Sequence, residues 1–160
     1  MKEGLLLLND EVFGEIQFET MWQKKDTYVL YGKEFEIILF VQGDESEIST
    51  SIQKEAYIEF NNKKVRLLKE IEEKIFSYYQ SVCDEYRDMY GEDADLYAPI
   101  VDEPGQLKGF VKPQSIMIPK QKDKRVVNVL FKTKWDLEMG IGIQLVDEQV
   151  EIVGAQSDVL

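Results

Sequence analysis

The chain has 160 residues, 44% apolar and 11% aromatic, with 31 acids against 19 bases for a formal charge of −12. A chain of this length folds as one domain around a core that takes in about two-thirds of its unfolded surface, and its apolar content excludes the disordered class. So acidic a surface repels phosphate backbones, which sets nucleic acid aside as a partner and favours a basic protein.

The first apolar cluster, Leu5 to Leu8, is closed by Asn9 and Asp10. It is shorter than the roughly 7–15 residues of a signal peptide core and the about 20 of a membrane span. Neither export by that route nor membrane insertion is expected. The single cysteine, Cys83, excludes an internal disulfide and a cysteine-rich zinc site. A reducing cytoplasm is the simplest location.

From Val12 to Phe18 the residues Val12, Ile16 and Phe18 alternate with Phe13, Glu15 and Gln17, the period of a half-buried strand. Thr27 to Tyr31 and Glu34 to Val41 follow as two arms of a hairpin, with Gly32-Lys33 as its turn. After Gln42-Gly43-Asp44 the period lengthens. Ile48, Ile52, Ala56 and Phe60 predict a helix over about 46–60, capped by Ser46 or Ser49 and ended by Asn61-Asn62. A longer helix is predicted over about 63–90, its apolar face carrying Leu68, Ile71, Ile75, Tyr78 or Tyr79, Val82 and Tyr86. Gly91 stands where a helix-ending glycine belongs.

Residues 91–109 read as an acidic loop with Pro99 and Pro104 and one helical turn near Gln106. Ser115 to Ile118, Val126 to Thr133, Ile141 to Val146 and Val150 to Val153 are the late strands, and 155–160 is expected to fray. The joints among the late strands are too short for helical crossovers, so they pair antiparallel. The expected class is α+β: an antiparallel sheet of about six to seven strands, with the helical pair inserted between early and late strands and packed on one face.

Histidine is absent, which removes the commonest general base, the commonest metal ligand and every Ser-His or Cys-His nucleophile. Cys83 lies inside the long helix and reads as packing. Gly32-Lys33 lacks the rest of a P-loop, and Gly140-Ile141-Gly142 lacks the third glycine of a dinucleotide fingerprint. An EF-hand counted from Asp93 needs glycine at 98 and glutamate at 104, where Ala98 and Pro104 stand. No cofactor or metal is expected, and the balance leans towards a non-enzymatic protein.

The most patterned stretch is residues 134–154. Trp135, Asp136, Glu138, Gly140 and Gly142 form a candidate hairpin site, with Asp136 and Glu138 sharing a face when extended. Asp136 also suits a turn, where its carboxylate accepts backbone hydrogen bonds. Two glycines on one strand face let something approach the backbone closely, a ligand, Trp135 or an aromatic of the long helix, or else they mark a bulge that bends the sheet.

Phe13-Gly14-Glu15-Ile16, Tyr31-Gly32-Lys33-Glu34-Phe35-Glu36-Ile37, Tyr57-x-x-Phe60 and above all Trp135-Asp136-x-Glu138-x-Gly140-Ile141-Gly142, followed by Val153-Gly154, resemble a bacterial family of uncharacterised domains. Its members commonly end in Trp-Asp-x-Glu-(His or similar)-Gly-aliphatic-Gly, and Met139 stands here where histidine is usual. The family carries no established activity, so the resemblance transfers no catalytic residue. Such domains are similar in size and context to small cytoplasmic immunity proteins of bacterial toxin systems.

Three functions follow as expectations. The first is an acidic binding protein, an immunity protein that neutralises a basic toxin domain, with Glu92, Asp93 and Asp95 beside the aromatic anchors Tyr90 and Tyr97 as its interface. The second is a small-ligand binder or carboxylate-dependent enzyme using the hairpin from Trp135 to Gly142. The third is a homo-oligomeric subunit whose sheet edge or helical face pairs with a copy of itself; the acidic block 84–103, with eight acids and one base, and the basic block 112–134, with seven bases and one acid, can also attract each other across such a dimer or within one molecule.

Overall fold

Strand order in this protein follows chain order. A computed structural model describes residues 6–160, and in it β1 (Leu6–Asp10), β2 (Gly14–Glu19), β3 (Met21–Leu30), β4 (Lys33–Val41), β5 (Val111–Ile118), β6 (Val126–Thr133), β7 (Ile141–Val146) and β8 (Gln149–Gly154) lie side by side as one eight-stranded sheet. Leu5, which opens the N-terminal apolar cluster, lies outside the described residues. The class is α+β.

Two details correct the sequence expectation. Among the described residues the sheet has eight strands rather than six or seven, and it is not wholly antiparallel, because β4 and β5 run parallel from Ile38 opposite Ser115 to Val41 opposite Ile118. The parallel step comes where the chain leaves the sheet for two helices, and only a connection of that length lets a strand return in the same direction. Every other neighbouring pair is antiparallel. The turn of the β3–β4 hairpin is Tyr31-Gly32, one residue earlier than expected. Both take positive φ, 51° and 75°, and Leu30 pairs with Lys33 across it.

α1 spans Ser51–Asn62 and α2 Lys64–Tyr90. The cap of α1 is Thr50, not Ser46 or Ser49. Thr50 Oγ1 accepts the Gln53 N–H at 3.3 Å and Gln53 Oε1 accepts the Thr50 N–H at 2.8 Å, a reciprocal box that satisfies two first-turn donors. The Gln53 amide then donates to the carbonyls of Gln42 at 2.8 Å and Ile118 at 3.1 Å, tying the helix start to the ends of β4 and β5. On α2 the buried stripe is Leu67, Ile71, Ile75, Tyr79 and Cys83. The aromatic on the core face is thus Tyr79 rather than Tyr78, and Cys83 takes the place expected of Val82.

The stripe packs into one apolar cluster with Ile37, Leu39 and Val41 of β4, Ile116 and Ile118 of β5, Val127, Val129 and Phe131 of β6, and Ile141, Ile143 and Leu145 of β7. Alternate residues of each strand share that face. The acidic loop is ordered by two 3₁₀ turns, Gly91–Asp93 and Pro104–Leu107, and the helical turn α3 (Ala94–Tyr97). Residues 155–160 do not fray. They form a 3₁₀ turn at Gln156–Asp158 and bury Val159, because the sheet offers them a glycine-lined seat. Among the described residues no helix is long and apolar enough to cross a membrane.

Candidate functional site

At one end of the sheet the chain leaves β6 at Thr133 and enters β7 at Ile141, and the intervening turn carries the hairpin candidates. Trp135 is buried and packs on Tyr79 of α2, ring centroids 4.5 Å apart. Asp136 is spent on the turn: Oδ1 accepts the Met139 N–H at 3.0 Å, and its carbonyl accepts the Gly140 N–H at 3.1 Å and the Thr133 hydroxyl at 2.9 Å. Its Oδ2 accepts the hydroxyl of Tyr86 at 2.5 Å. Burial first, then this carboxylate, hold the Tyr86 hydroxyl above the ordinary phenol range, so it remains a neutral donor. Glu138 is exposed, whereas Asp136 is half-buried.

The two glycines have an occupant, and it is the chain's own C-terminus. Gly140 has φ 55°, and a Cβ there would strike the Phe131 carbonyl. Gln156 packs over it, its amide donating to that same carbonyl at 2.9 Å. A Cβ at Gly142 would lie 2.7 Å from Val159 Cγ2 and 2.9 Å from the Ala155 carbonyl oxygen. The open strand face expected from sequence is real, but residues 155–159 fill the space a ligand would take.

The interface candidates lie beside the same turn. Tyr90, in the last turn of α2, donates its hydroxyl to the Trp135 carbonyl at 2.7 Å and packs on the Tyr97 ring, centroids 4.9 Å apart. Arg87 joins Asp95 at 3.0 Å and donates to the Ala98 carbonyl at 2.9 Å. Tyr79 donates to the Pro99 carbonyl at 2.5 Å and Gln80 to the Val101 carbonyl at 2.8 Å, so the acidic loop is pinned along α2. Glu92 and Asp93 are exposed on the turn between the helices. Two stretches proposed separately from sequence therefore form one face, joined through Tyr86 and Tyr90.

The segments that meet there are acidic and carry exposed apolar side chains. All eight acids of residues 84–103 are exposed. Among the described residues no ion pair joins them to the basic block 112–134: Asp95 is bridged to Arg87 of its own segment, and Arg125 is bridged to Asp147 and Glu148. Met89, Leu96, Tyr97, Ile100, Leu137 and Met139, half of the twelve most exposed large apolar side chains among the described residues, belong to these segments. Among the described residues no three acid or cysteine groups converge closely enough to hold a metal ion.

Sequence reasoning missed a second charged centre. Glu148 is 4% exposed, and its carboxylate accepts from Arg125 Nε at 2.8 Å, Arg125 Nη2 at 3.0 Å and Lys63 Nζ at 2.9 Å. Asp147 and Glu148, both with positive φ, make the β7–β8 turn, and this cluster holds them there. The unbroken acidity of residues 135–160 conceals which of its acids is buried.

A sequence profile described as a domain of unknown function, DUF6985, matches residues 12–160. Comparison with curated proteins and with solved structures gives no match.

Proposed function

The chain belongs to the DUF6985 family of domains of unknown function, and from the face it builds at the end of α2 we propose that it is a non-enzymatic acidic binding protein whose partner is a basic protein. The observation that carries this reading is the union of the acidic loop and the Trp135–Gly142 turn into one surface. The segments that meet there, residues 84–103 and the turn, carry eight exposed carboxylates, seven of them without an ion pair among the described residues, together with exposed apolar side chains. Unpaired carboxylates steer a cationic partner on approach, and desolvated aromatic and apolar side chains hold it. Tyr90 and Tyr97 are packed together, and Tyr90 is tethered, before any partner arrives, which lowers the ordering cost of binding.

Most concretely, the partner is a basic toxin domain that this protein neutralises in a bacterial cytoplasm. Neutralising a toxin by covering it requires no catalytic group of the inhibitor. The hairpin does not favour a catalytic reading, since Asp136 is committed to the turn and Gln156 and Val159 occupy the glycines.

The test is capture with the tagged protein from its native cells, followed by reconstitution with the purified partner at low and high salt. A basic partner should bind stoichiometrically and weaken with salt. Changing Glu92, Asp93 and Asp95 together to lysine should abolish binding and leave the unfolding midpoint near that of the parent. Unchanged affinity in that variant would sink the proposal, and recovery of this chain alone would favour a homo-oligomer, checked by light scattering.

A further inference from the structure

The parallel ladder between β4 and β5 covers only Ile38–Val41 and Ser115–Ile118. Towards their starts the two strands have no register, and β5 is bulged between Pro113 and Ser115. A cavity of about 340 Å³ opens there, between the Tyr31-Gly32 turn and β4 on one side and the chain entering β5 on the other. Its lining includes Lys33, Lys108 and Lys112 together with Tyr31, Phe35 and Val111, and no carboxylate. A lysine-lined cavity is the unexpected feature of a protein with a charge of −12.

Among the described residues none of these three ammonium groups is in an ion pair; Lys33 Nζ lies 5.1 Å from the centre of the Phe35 ring. The acids nearest in sequence, Glu34 and Glu36, alternate to the other side of β4 from Phe35, and Glu36 pairs with Lys25. Tyr31 is held by its backbone N–H, which donates to Glu72 Oε2 at 2.7 Å, while its buried hydroxyl has no hydrogen-bond partner among the described residues. Burial first and Glu72 second raise that phenol above its ordinary range, so it stays protonated.

We propose that this cleft binds a small phosphomonoester, its phosphate held by Lys33, Lys108 and Lys112 and its organic part lying against Phe35 and Val111. Three lysines lining one cavity suit a compact dianion better than a single carboxylate. A volume of about 340 Å³ is at the small end of ligand sites, so the cleft takes a metabolite-sized molecule. The acidity of the rest of the chain repels an extended polyanion, which confines the anion to a small one. Lys108 and Gly109 end the 91–109 loop, but no residue of the cleft is one of the eight carboxylates or of the exposed apolar side chains assigned to the acidic face, so the two proposals are tested separately.

The experiment is an amide-shift titration of the full chain with phenyl phosphate, inorganic phosphate, benzoate and a short single-stranded oligonucleotide. Phenyl phosphate should shift amides of residues 30–35 and 108–112, and bind more tightly than inorganic phosphate or benzoate. Each of Lys33→Gln, Lys108→Gln and Lys112→Gln should weaken phenyl phosphate binding by about tenfold, since each removes one charge-assisted hydrogen bond. These lysines are at the surface, so a folded variant is expected, and an unchanged amide spectrum elsewhere verifies it. Shifts scattered over the surface, equal binding of benzoate, preference for the oligonucleotide, or affinity unchanged in the triple variant would each overturn the assignment.

Discussion

Tyr86 and Asp136, fifty positions apart, meet through a 2.5 Å hydrogen bond from the tyrosine hydroxyl to the carboxylate. The contact locks the last turns of α2 to the β6–β7 turn, and with Tyr90 on the Trp135 carbonyl it makes one surface of two segments. Tyr86→Phe should lower stability by about 1–2 kcal/mol, as expected for a hydrogen bond to a charged acceptor in a half-buried site. Asp136→Asn combined with Tyr86→Phe should cost less than the two single changes added together. Additive costs in urea unfolding would show that the two side chains do not act as a unit.

The Glu148 cluster makes stability depend on pH. Arg125 foremost, and Lys63 after it, hold the Glu148 carboxyl below the usual glutamate range against the opposing effect of burial. A pKa lower in the folded than in the unfolded chain contributes stability that is fully present above the unfolded value, about 4.3. That contribution is lost as pH falls through the folded value. Glu148→Gln should therefore destabilise by roughly 2–3 kcal/mol at pH 7, because Arg125 and Lys63 lose the charge they face. On acidification below about pH 4.3 the variant should lose less stability than the parent. Parallel stability curves for the two proteins between pH 3 and 7 would contradict this.

The seat of the C-terminal tail is equally open to measurement. A methyl at Gly142 would stand 2.7 Å from Val159 Cγ2 and 2.9 Å from the Ala155 carbonyl oxygen, so Gly142→Ala should cost about 1–3 kcal/mol by overpacking. Val159 is 6% exposed, and Val159→Ala should cost roughly 1–2 kcal/mol. The double variant should be more stable than the sum of the two losses implies, because shortening Val159 clears room for the new methyl. Proteolysis that trims residues 155–160 from the parent as readily as from Gly142→Ala would show that the tail is not seated there.

How far the sequence could be read depended on which polar residues interrupt the periodicity. β6 and β7 emerged with their limits intact, because their core-facing positions Val127, Val129, Phe131, Ile141, Ile143 and Leu145 are uninterrupted. The first half of β3 is not legible in the sequence. There Lys24 and Asp26 share a face with Trp22 and Tyr28 and break the apolar alternation; Lys24 Nζ donates to the Phe13 carbonyl at 2.7 Å, and Asp26 Oδ2 accepts the Tyr57 hydroxyl at 2.7 Å. β1 is short, and a five-residue run carries too little alternation to announce a strand. The Thr50–Gln53 box does not stand out from the nearby serines in the sequence, since a cap is decided by where the helix starts and boundaries are the least legible part of an element.

By itself the sequence determined the α+β class, the place of the helical pair between early and late strands, the acidity of the surface and the need for close backbone approach at Gly140 and Gly142. These depend on local backbone rules and composition, which act within a few residues. Tertiary structure decided what approaches those glycines, that Tyr90 and Tyr97 share a face with Trp135 and Asp136, that Glu148 is the buried acid among its neighbours, and that three lysines line one cleft. Each is a meeting of segments far apart in the chain, and periodicity records which way a residue points without recording what stands opposite it.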